Sequence, residues 1–396
     1  MDMPPRTSPG QPSPATAARA PAGARPSRRQ AIALGLSGAL AAPWPRSALG
    51  LPLRTLQFPR DHGSHPDLRT EWWYITGHAA AGGREWGFQV TFFRSRVDAA
   101  QGLRSAFAAR QLLFAHAAVT DLKGQRLLHD QRIARAGFGV AQASEADTAL
   151  RLHDWSLVRS PIDQTTAPDT TGPRSRYAAR IQGEQFGLQL QFDSTQPVLV
   201  QGHQGLSRKG PDTEQASYYY SQPQLTVSGT IALGGERLAI NPAQARAWMD
   251  HEWSESLLHP DAQGWDWIGM NLLDGSALTA FRLRRADGTA LWAGGSWRAS
   301  NRAAAQAFDA SEVVFTPQRF WTSPHSGARY PVQWRVQTPA GTFEVRSLLD
   351  SQELDSSSST GAIYWEGLSE LREAASGKVV GRGYLEMTGY AKALRM

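Results

Sequence analysis

The residues best suited to chemistry lie close together near the middle of the chain. Asp250, His251 and Glu252 follow one another between two tryptophans. The alternation around them is typical of an extended strand, in which successive side chains point to opposite faces. Asp250 and Glu252 are therefore predicted to share one face with Trp248, and His251 the other face with Trp253. These side chains either line a site or anchor a junction between domains.

Three of the acidic and basic groups are candidates for proton transfer. His251 can donate or accept a proton near neutral pH, and the indole of Trp253 can stabilise a developing cation. The alternative for His251 is a hydrogen-bonded core residue. Asp250 is a second candidate. Asp266 is the third: it shares a predicted strand face with apolar residues, which would raise its pKa as a general acid requires. The alternative for Asp266 is a position in solvent.

Most of the chain alternates between apolar and polar residues with a period of two, as in residues 86–92, 188–193 and 332–336. Turn sequences rich in glycine separate these segments. The pattern predicts an all-β protein made of antiparallel barrels or sandwiches. The best helical candidate is the short segment Asn301–Phe308. The 14 tryptophans are explained mainly by core packing, although indoles can also line a pocket.

The first fifty residues resemble an export signal. Arg28 and Arg29 precede a short apolar run, residues 31–42, which is the pattern of a twin-arginine leader. Residues 1–50 carry a net charge of +5 out of the chain's +6, so the remainder is close to neutral. We therefore expect a periplasmic or secreted protein that binds no nucleic acid. A disordered tail is the alternative.

Several kinds of chemistry are excluded by what the sequence lacks. The chain has no cysteine, so thiol catalysis, iron–sulfur clusters and cysteine–zinc sites are ruled out. The stretch from His251 to Glu255 begins like a zinc-binding helix, but the second histidine is missing. No nucleophile elbow, phosphate-binding loop or dinucleotide fingerprint occurs. We expect no cofactor, no metal and no stable membrane anchor.

A series of motifs runs through the chain in a fixed order. They are Asp61–Asp67, Thr70–His78, Gly87–Arg94, Tyr218–Ser221, Trp248–Trp253, Gly264–Trp267, Tyr364–Gly367 and Gly383–Tyr390. Together they resemble the AttH/CrtC family of lipocalin-like proteins, which includes carotenoid 1,2-hydratases. The resemblance covers residues 57–392.

The resemblance implies two lipocalin-like β domains side by side, with a pocket near their junction. We place these domains at residues 57–255 and 256–396, after the 1–50 leader, and expect the connecting loop at Leu257–Gln263. The resemblance and the aromatic content predict eight ligand-binding residues: Trp72, Trp73, Tyr74, Trp253, Tyr219, Trp267, Tyr364 and Glu366.

One departure from the hydratases bears on activity. The resemblance implies a Tyr-x-carboxylate pair on the strand after the tryptophan-rich segment, but Ser276–Phe281 contains neither residue type. Glu366 and Glu386 lie beside tyrosines and could bind a ligand. The alternative is a structural role, such as pairing with buried arginines or backbone groups, which we favour because unpaired buried acids are costly.

Two functions remain open. The missing pair favours a periplasmic carrier of a hydrophobic or amphipathic small molecule, associated with an ABC-type export system as the company of some family members suggests. The alternative is a cofactor-free hydratase, isomerase or cyclase in which His251 moves the proton.

The leader supplies a testable prediction. Because a twin-arginine signal depends on both guanidinium groups, the Arg28→Lys, Arg29→Lys double variant should leave the precursor in the cytoplasm. Cell fractionation and immunoblotting measure this directly. Unchanged mature protein in the periplasm would remove the twin-arginine hypothesis.

Overall fold

The strands of the first sheet span residues 70–256, and the alternation of apolar and polar residues accounts for most of them. A computed structural model describes residues 50–162, 174–256, 258–299 and 304–394. The strands of the first sheet are β1 (Thr70–Ala81), β2 (Arg84–Arg96), β3 (Gln111–Asp121), β4 (Arg126–Arg135), β5 (Ala141–Ala143), β6 (Ala149–Leu152), β7 (Trp155–Pro161), β8 (Ser175–Gln182), β9 (Phe186–Asp193), β10 (Leu199–Val200), β11 (Leu206–Arg208), β12 (Ala216–Leu233) and β13 (Glu236–Ser256).

The second sheet contains ten strands. They are β14 (Gly264–Leu272), β15 (Ala277–Arg284), β16 (Ala290–Arg298), β17 (Gln306–Phe308), β18 (Val314–Thr322), β19 (Arg329–Thr338), β20 (Gly341–Ser347), β21 (Glu353–Ser356), β22 (Ala362–Glu373) and β23 (Val379–Met387). The described helices are two short 3-10 turns, Arg60–His62 and Asp98–Ala100. None of the described helices is long and apolar enough to cross a membrane.

Both sheets are antiparallel. The first has the order β4-β3-β2-β1-β13-β12-β9-β8-β7-β6-β5, and it curves until β6 contacts β3 and β4, so that it nearly closes into a barrel. The second has the order β17-β16-β15-β14-β23-β22-β20-β19-β18. The all-β prediction of two lipocalin-like antiparallel sheets is confirmed.

The helix predicted at Asn301–Phe308 is wrong over its described part. Gln306–Phe308 is a strand that pairs with Gly295–Trp297 of β16, since the edge of the second sheet offers hydrogen bonds that a short isolated helix lacks. Residues 300–303 lie outside the described residues, as does the predicted leader.

Each sheet encloses its own apolar core, and a third core lies between the two sheets. The third core joins Tyr74 and Trp248 of the first sheet to Trp267, Phe281 and Tyr384 of the second. β13 ends at Ser256 and β14 begins at Gly264, close to the predicted connection. All described residues form one compact unit, and the domain bounds at residues 57–255 and 256–396 stay a prediction.

Close packing of β23 against β14 generates a stability prediction. A β-carbon on Gly383 would lie 1.9 Å from the carbonyl oxygen of Gly269. Gly383→Ala should therefore destabilise the protein by at least about 1–3 kcal/mol through overpacking. Chemical denaturation measures the free energy of unfolding. Gly102→Ala is the control, because nothing lies within 4 Å of its added β-carbon. Equal stabilities of the two variants would contradict the close approach.

Candidate active site

The central strand β13 presents two chemically different faces. Trp248, Asp250 and Glu252 share one face, as the alternation predicts, and this face points toward the second sheet. The two acids line a cavity between the sheets. Met249 belongs to the interior core of the first sheet, and His251 on that same face is fully buried. The two catalytic candidates Asp250 and His251 therefore lie in different environments.

The cavity has a volume of about 370 Å³. Its walls come from β1, β2, β3, β12 and β13 of the first sheet and from β14, β15, β22 and β23 of the second. Six of the predicted ligand-binding residues line it, namely Trp72, Tyr74, Tyr219, Trp267, Tyr364 and Glu366. The other two, Trp73 and Trp253, do not.

Two glutamates face each other on one wall of the cavity. Glu366 on β22 and Glu386 on β23 are direct cross-strand partners, and both line the cavity. Burial and the neighbouring Glu386 raise the pKa of Glu366 well above its usual value, and burial raises the pKa of Glu386 to about 8. The pair therefore holds at least one proton at neutral pH, because two adjacent buried carboxylates cannot both ionise readily.

The structural role expected for these glutamates stays a prediction, and the described part of the chain does not show the arginine partners suggested for it. Among the described residues, neither Glu366 nor Glu386 forms an ion pair with an arginine or lysine. Their side chains instead face the cavity. The carboxyl groups missing from Ser276–Phe281 are thus matched by carboxyl groups that two other strands supply.

Asp250 provides a further carboxyl group on the opposite wall. It accepts hydrogen bonds from the Tyr219 hydroxyl at 2.7 Å, the Ser221 hydroxyl at 2.5 Å and the Trp248 indole nitrogen at 2.7 Å. Burial nevertheless raises its pKa to about 7. Neighbouring Glu252 is ion-paired with Lys209 at 2.9 Å. Asp250 is thus able to exchange a proton near neutral pH.

Contacts between rings and hydrogen bonds hold the aromatic side chains of the cavity in place. The ring of Tyr74 meets Trp267 edge-on, with 5.4 Å between centroids. The Tyr364 hydroxyl lies 2.9 Å from Nδ1 of His116, and Nε2 of His116 lies 2.9 Å from the Ser359 hydroxyl. Burial lowers the pKa of His116 to about 3, so the ring is neutral and can accept a hydrogen bond from the Tyr364 hydroxyl. Tyr364 is fixed by these contacts with its oxygen at the cavity wall.

His251 lies in a separate hydrogen-bonded cluster on the other face of β13. Its Nε2 contacts Glu71 Oε1 at 2.9 Å, and its Nδ1 contacts the Tyr220 hydroxyl at 3.1 Å. Burial lowers the pKa of His251 to about 4 despite the opposing effect of Glu71. Since the carboxylate only accepts hydrogen bonds, Nε2 carries the single ring proton and Nδ1 accepts from Tyr220. The alternative of a hydrogen-bonded core histidine fits this geometry.

Trp253 and Trp73 also belong to this cluster. Trp253 stacks on His65 with 3.9 Å between ring centroids, and Trp73 stacks on His251 at 4.6 Å. The ring nitrogens of His65 contact Glu71 at 2.7 Å and Asp61 at 3.0 Å. Both contacts are to carboxylates, which hold the His65 ring against the indole of Trp253. The Trp253 indole is thus covered by a protein side chain.

Three members of the cluster have the atoms of a metal site. The candidate ligand atoms of His65, Glu71 and His251 all lie within 4.8 Å of one another. However, Arg94 donates to the same glutamate at 2.9 Å, and the two histidines are covered by stacked indoles. The guanidinium charge and the close packing make these residues a poor fit for a cation.

Asp266 lies on the expected apolar face of β14, with Ile268 and Met270 in the core of the second sheet. It is fully buried, which excludes the position in solvent, but it does not line the cavity. Arg282 and Arg284 lie 2.7 and 3.1 Å from its carboxylate, and the Tyr390 hydroxyl donates to it at 2.8 Å. These contacts and its burial assign Asp266 to the core of the second sheet.

The family model described as AttH-like matches residues 50–390. The chain belongs to the AttH-like family. A structure assigned to AttH from Nitrosomonas europaea is 43% identical, with a TM-score of 0.75, and the match covers 86% of this chain and 98% of that one.

Two similar proteins are kievitone hydratases. The enzyme of Fusarium solani subsp. phaseoli is 23% identical over 217 residues, which are 54% of this chain and 60% of that protein. The chain thus matches less than two thirds of that curated relative. The structure of kievitone hydratase from Nectria haematococca has a TM-score of 0.64 at 15% identity, and the match covers 85% of this chain and 94% of that one. The second similarity establishes the fold alone.

The raised pKa of Glu386 predicts a pH-dependent stability difference. Its pKa is raised from 4.5 to about 8 on folding, so folding favours the protonated form and this contribution is lost as pH rises through that window. Glu386→Gln cannot ionise. Its stability relative to wild type should therefore increase by roughly 3–5 kcal/mol between about pH 4.5 and 8.

Denaturation at a series of pH values measures this difference. Glu236→Gln is the control, because Glu236 is exposed on β13 and its removal should leave the pH dependence unchanged. A flat difference for Glu386→Gln across the range would show that its pKa is not raised.

Proposed function

We propose that the chain is an acid–base enzyme of the hydratase, dehydratase or isomerase type, acting on an uncharged amphipathic molecule in the cavity between the sheets. The observation that supports this most is the Glu366–Glu386 pair, which combines a proton donor with a proton acceptor on an apolar wall. A purely passive cavity does not need two adjacent buried acids, which reduce stability.

Hydration of a carbon–carbon double bond illustrates the chemistry. The neutral carboxyl group of the pair donates its proton to one carbon of the double bond, leaving a cation at the other carbon and a carboxylate on the protein. Water attacks the cation, and its surplus proton passes to a carboxylate of the pair. One proton has been used and one returned, so the acid is regenerated. Dehydration is the same sequence in reverse.

Indoles and phenols around the cavity suit such a cation. Trp72, Trp267 and Phe281 line the cavity together with the tyrosines, and the face of an aromatic ring attracts positive charge. Asp250, with its pKa of about 7, is a second group able to accept a proton on the opposite wall. In this proposal His251 acts only through packing.

The charges of the cavity favour a neutral ligand. Lys209 is paired with Glu252, and its ammonium lies 4.2 Å from the centre of the Phe281 ring. An anionic group placed near Glu366, Glu386 and Asp250 would be repelled whenever they ionise. The relative from Fusarium is named for hydrating kievitone, and we propose water addition to a related kind of molecule here.

The carrier hypothesis is the competing proposal, since the same aromatic cavity would hold a transported ligand. Export through a twin-arginine leader, a periplasmic location and an ABC-type export partner likewise stay predictions. A carrier would return its ligand unchanged, whereas the enzyme would convert it, and this difference decides between them.

The test uses kievitone and, separately, the apolar compounds extracted from the protein as purified from its own host. Incubation in ¹⁸O-labelled water followed by mass spectrometry detects water addition. We expect Glu366→Gln and Glu386→Gln each to lower kcat about 10²–10⁴-fold, the usual range for loss of a general acid or base, with little change in affinity.

Glu236→Gln serves as the control variant and should retain full activity. Saturable binding of either ligand without conversion would support the carrier. Turnover that survives both glutamine substitutions would reject the assignment of the pair.

A further inference from the structure

We propose that one end of the first sheet is a docking surface for an anionic lipid bilayer. The surface, here called the aromatic–arginine patch, combines three exposed apolar side chains with three arginines: Leu103, Phe107, Phe138, Arg104, Arg110 and Arg135. It is separate from the cavity residues and does not depend on the proposed activity.

The apolar members of the patch are unusually exposed. Phe107 is 72% exposed, Phe138 59% and Leu103 52%. The two phenylalanine rings stack on each other, with 5.4 Å between centroids and 14° between planes. The guanidinium of Arg135 lies 4.2 Å from the centre of the Phe138 ring. Contiguous exposed aromatic surface of this kind marks an interaction site in soluble proteins.

Backbone hydrogen bonds and backbone conformation hold the exposed side chains of Phe107 and Phe138 in place. The Val97 amide donates to the Arg110 carbonyl at 2.9 Å, which closes the base of the loop that carries Phe107. The Gln101 side chain bridges the carbonyls of the same two residues at 3.0 and 2.8 Å. Phe138 has a φ of 58°, a left-handed conformation that is unfavourable for a bulky residue. The fold thus holds Phe138 outward at a conformational cost.

The positive charge of the patch favours an anionic partner. Residues 99–110 and 131–143 contain four arginines, of which Arg132 is paired with Asp130 at 2.7 Å; the other three, Arg104, Arg110 and Arg135, belong to the patch. The Arg110 guanidinium donates to the Leu103 carbonyl, so positive charge sits directly beside the apolar side chains. Aromatic rings that enter the headgroup region, with guanidinium groups beside them for lipid phosphates, are the features of an interfacial membrane contact.

The patch lies at the same end of the sheet as partly exposed cavity residues. Strand register pairs Thr70 with Ser95, Ser95 with Leu112, and Leu112 with Arg135. Thr70 and Ser95 line the cavity and are partly exposed. A bilayer bound at the patch therefore lies at the same end of the sheet as these cavity residues.

Vesicle co-sedimentation tests the proposal with the full chain. Wild type should bind vesicles of equimolar phosphatidylcholine and phosphatidylglycerol, and bind pure phosphatidylcholine much more weakly. Phe107→Ala with Phe138→Ala should reduce binding to the anionic vesicles by at least about tenfold, because both inserted rings are lost. Arg104→Gln should reduce it about fivefold, and added salt should weaken it further.

Leu273→Ala is the matched control, since Leu273 is 74% exposed but lies in the turn between β14 and β15, outside the patch. Its binding should equal that of wild type. The unfolding temperature should be the same in every variant as in wild type, because the substituted residues are exposed. No binding of wild type to anionic vesicles, or equal binding by the double phenylalanine variant, overturns the proposal. Wild-type dimers that the double variant abolishes, without vesicle binding, would instead identify an interface between two copies.

Discussion

A buried carboxylate needs hydrogen-bond donors or cations to offset the cost of burying its charge. In this protein some buried carboxylates have such partners and others do not. Glu71 is fully buried on β1 and receives five hydrogen bonds, from the Ser64 hydroxyl, the backbone and side chain of His65, Arg94 and His251. Burial alone would raise its pKa, but the contacts from His251 and His65 outweigh this and hold the pKa well below its usual value. Glu71 thereby ties the segment before β1 to β2 and β13.

Two glutamates of the second sheet, which line the cavity, lack this compensation. Glu366 and Glu386 face each other across the β22–β23 pairing, and no described cation pairs with either of them. Burial affects Glu366 and Glu386 as it affects Glu71, but they lack cationic partners among the described residues, so burial raises their pKa values. One face of β13 thus contacts the hydrogen-bonded cluster that stabilises the fold, and its other face borders the cavity where protons can be exchanged.

The sequence was sufficient to predict the strands and their alternation, because a period of two in the side chains is a local property. It correctly divided Asp250 from His251. It could not indicate which of the two faces meets the second sheet, since that depends on contacts between strands far apart in sequence. For this reason His251 and Trp253 were ranked above Glu386, although the Tyr-x-Glu spacing occurs at both Tyr364 and Tyr384. Only the register of β22 with β23 brings the two glutamates together.

The most direct test of this account is the protonation state of the glutamate pair in the resting protein. Infrared spectroscopy distinguishes a neutral carboxyl group from a carboxylate by its carbonyl stretching band. At neutral pH, wild type should show a protonated carboxyl band that the Glu366→Gln, Glu386→Gln double variant lacks and the Glu236→Gln variant keeps. A wild-type spectrum that does not differ from that of the double variant in this region at neutral pH would contradict the central claim.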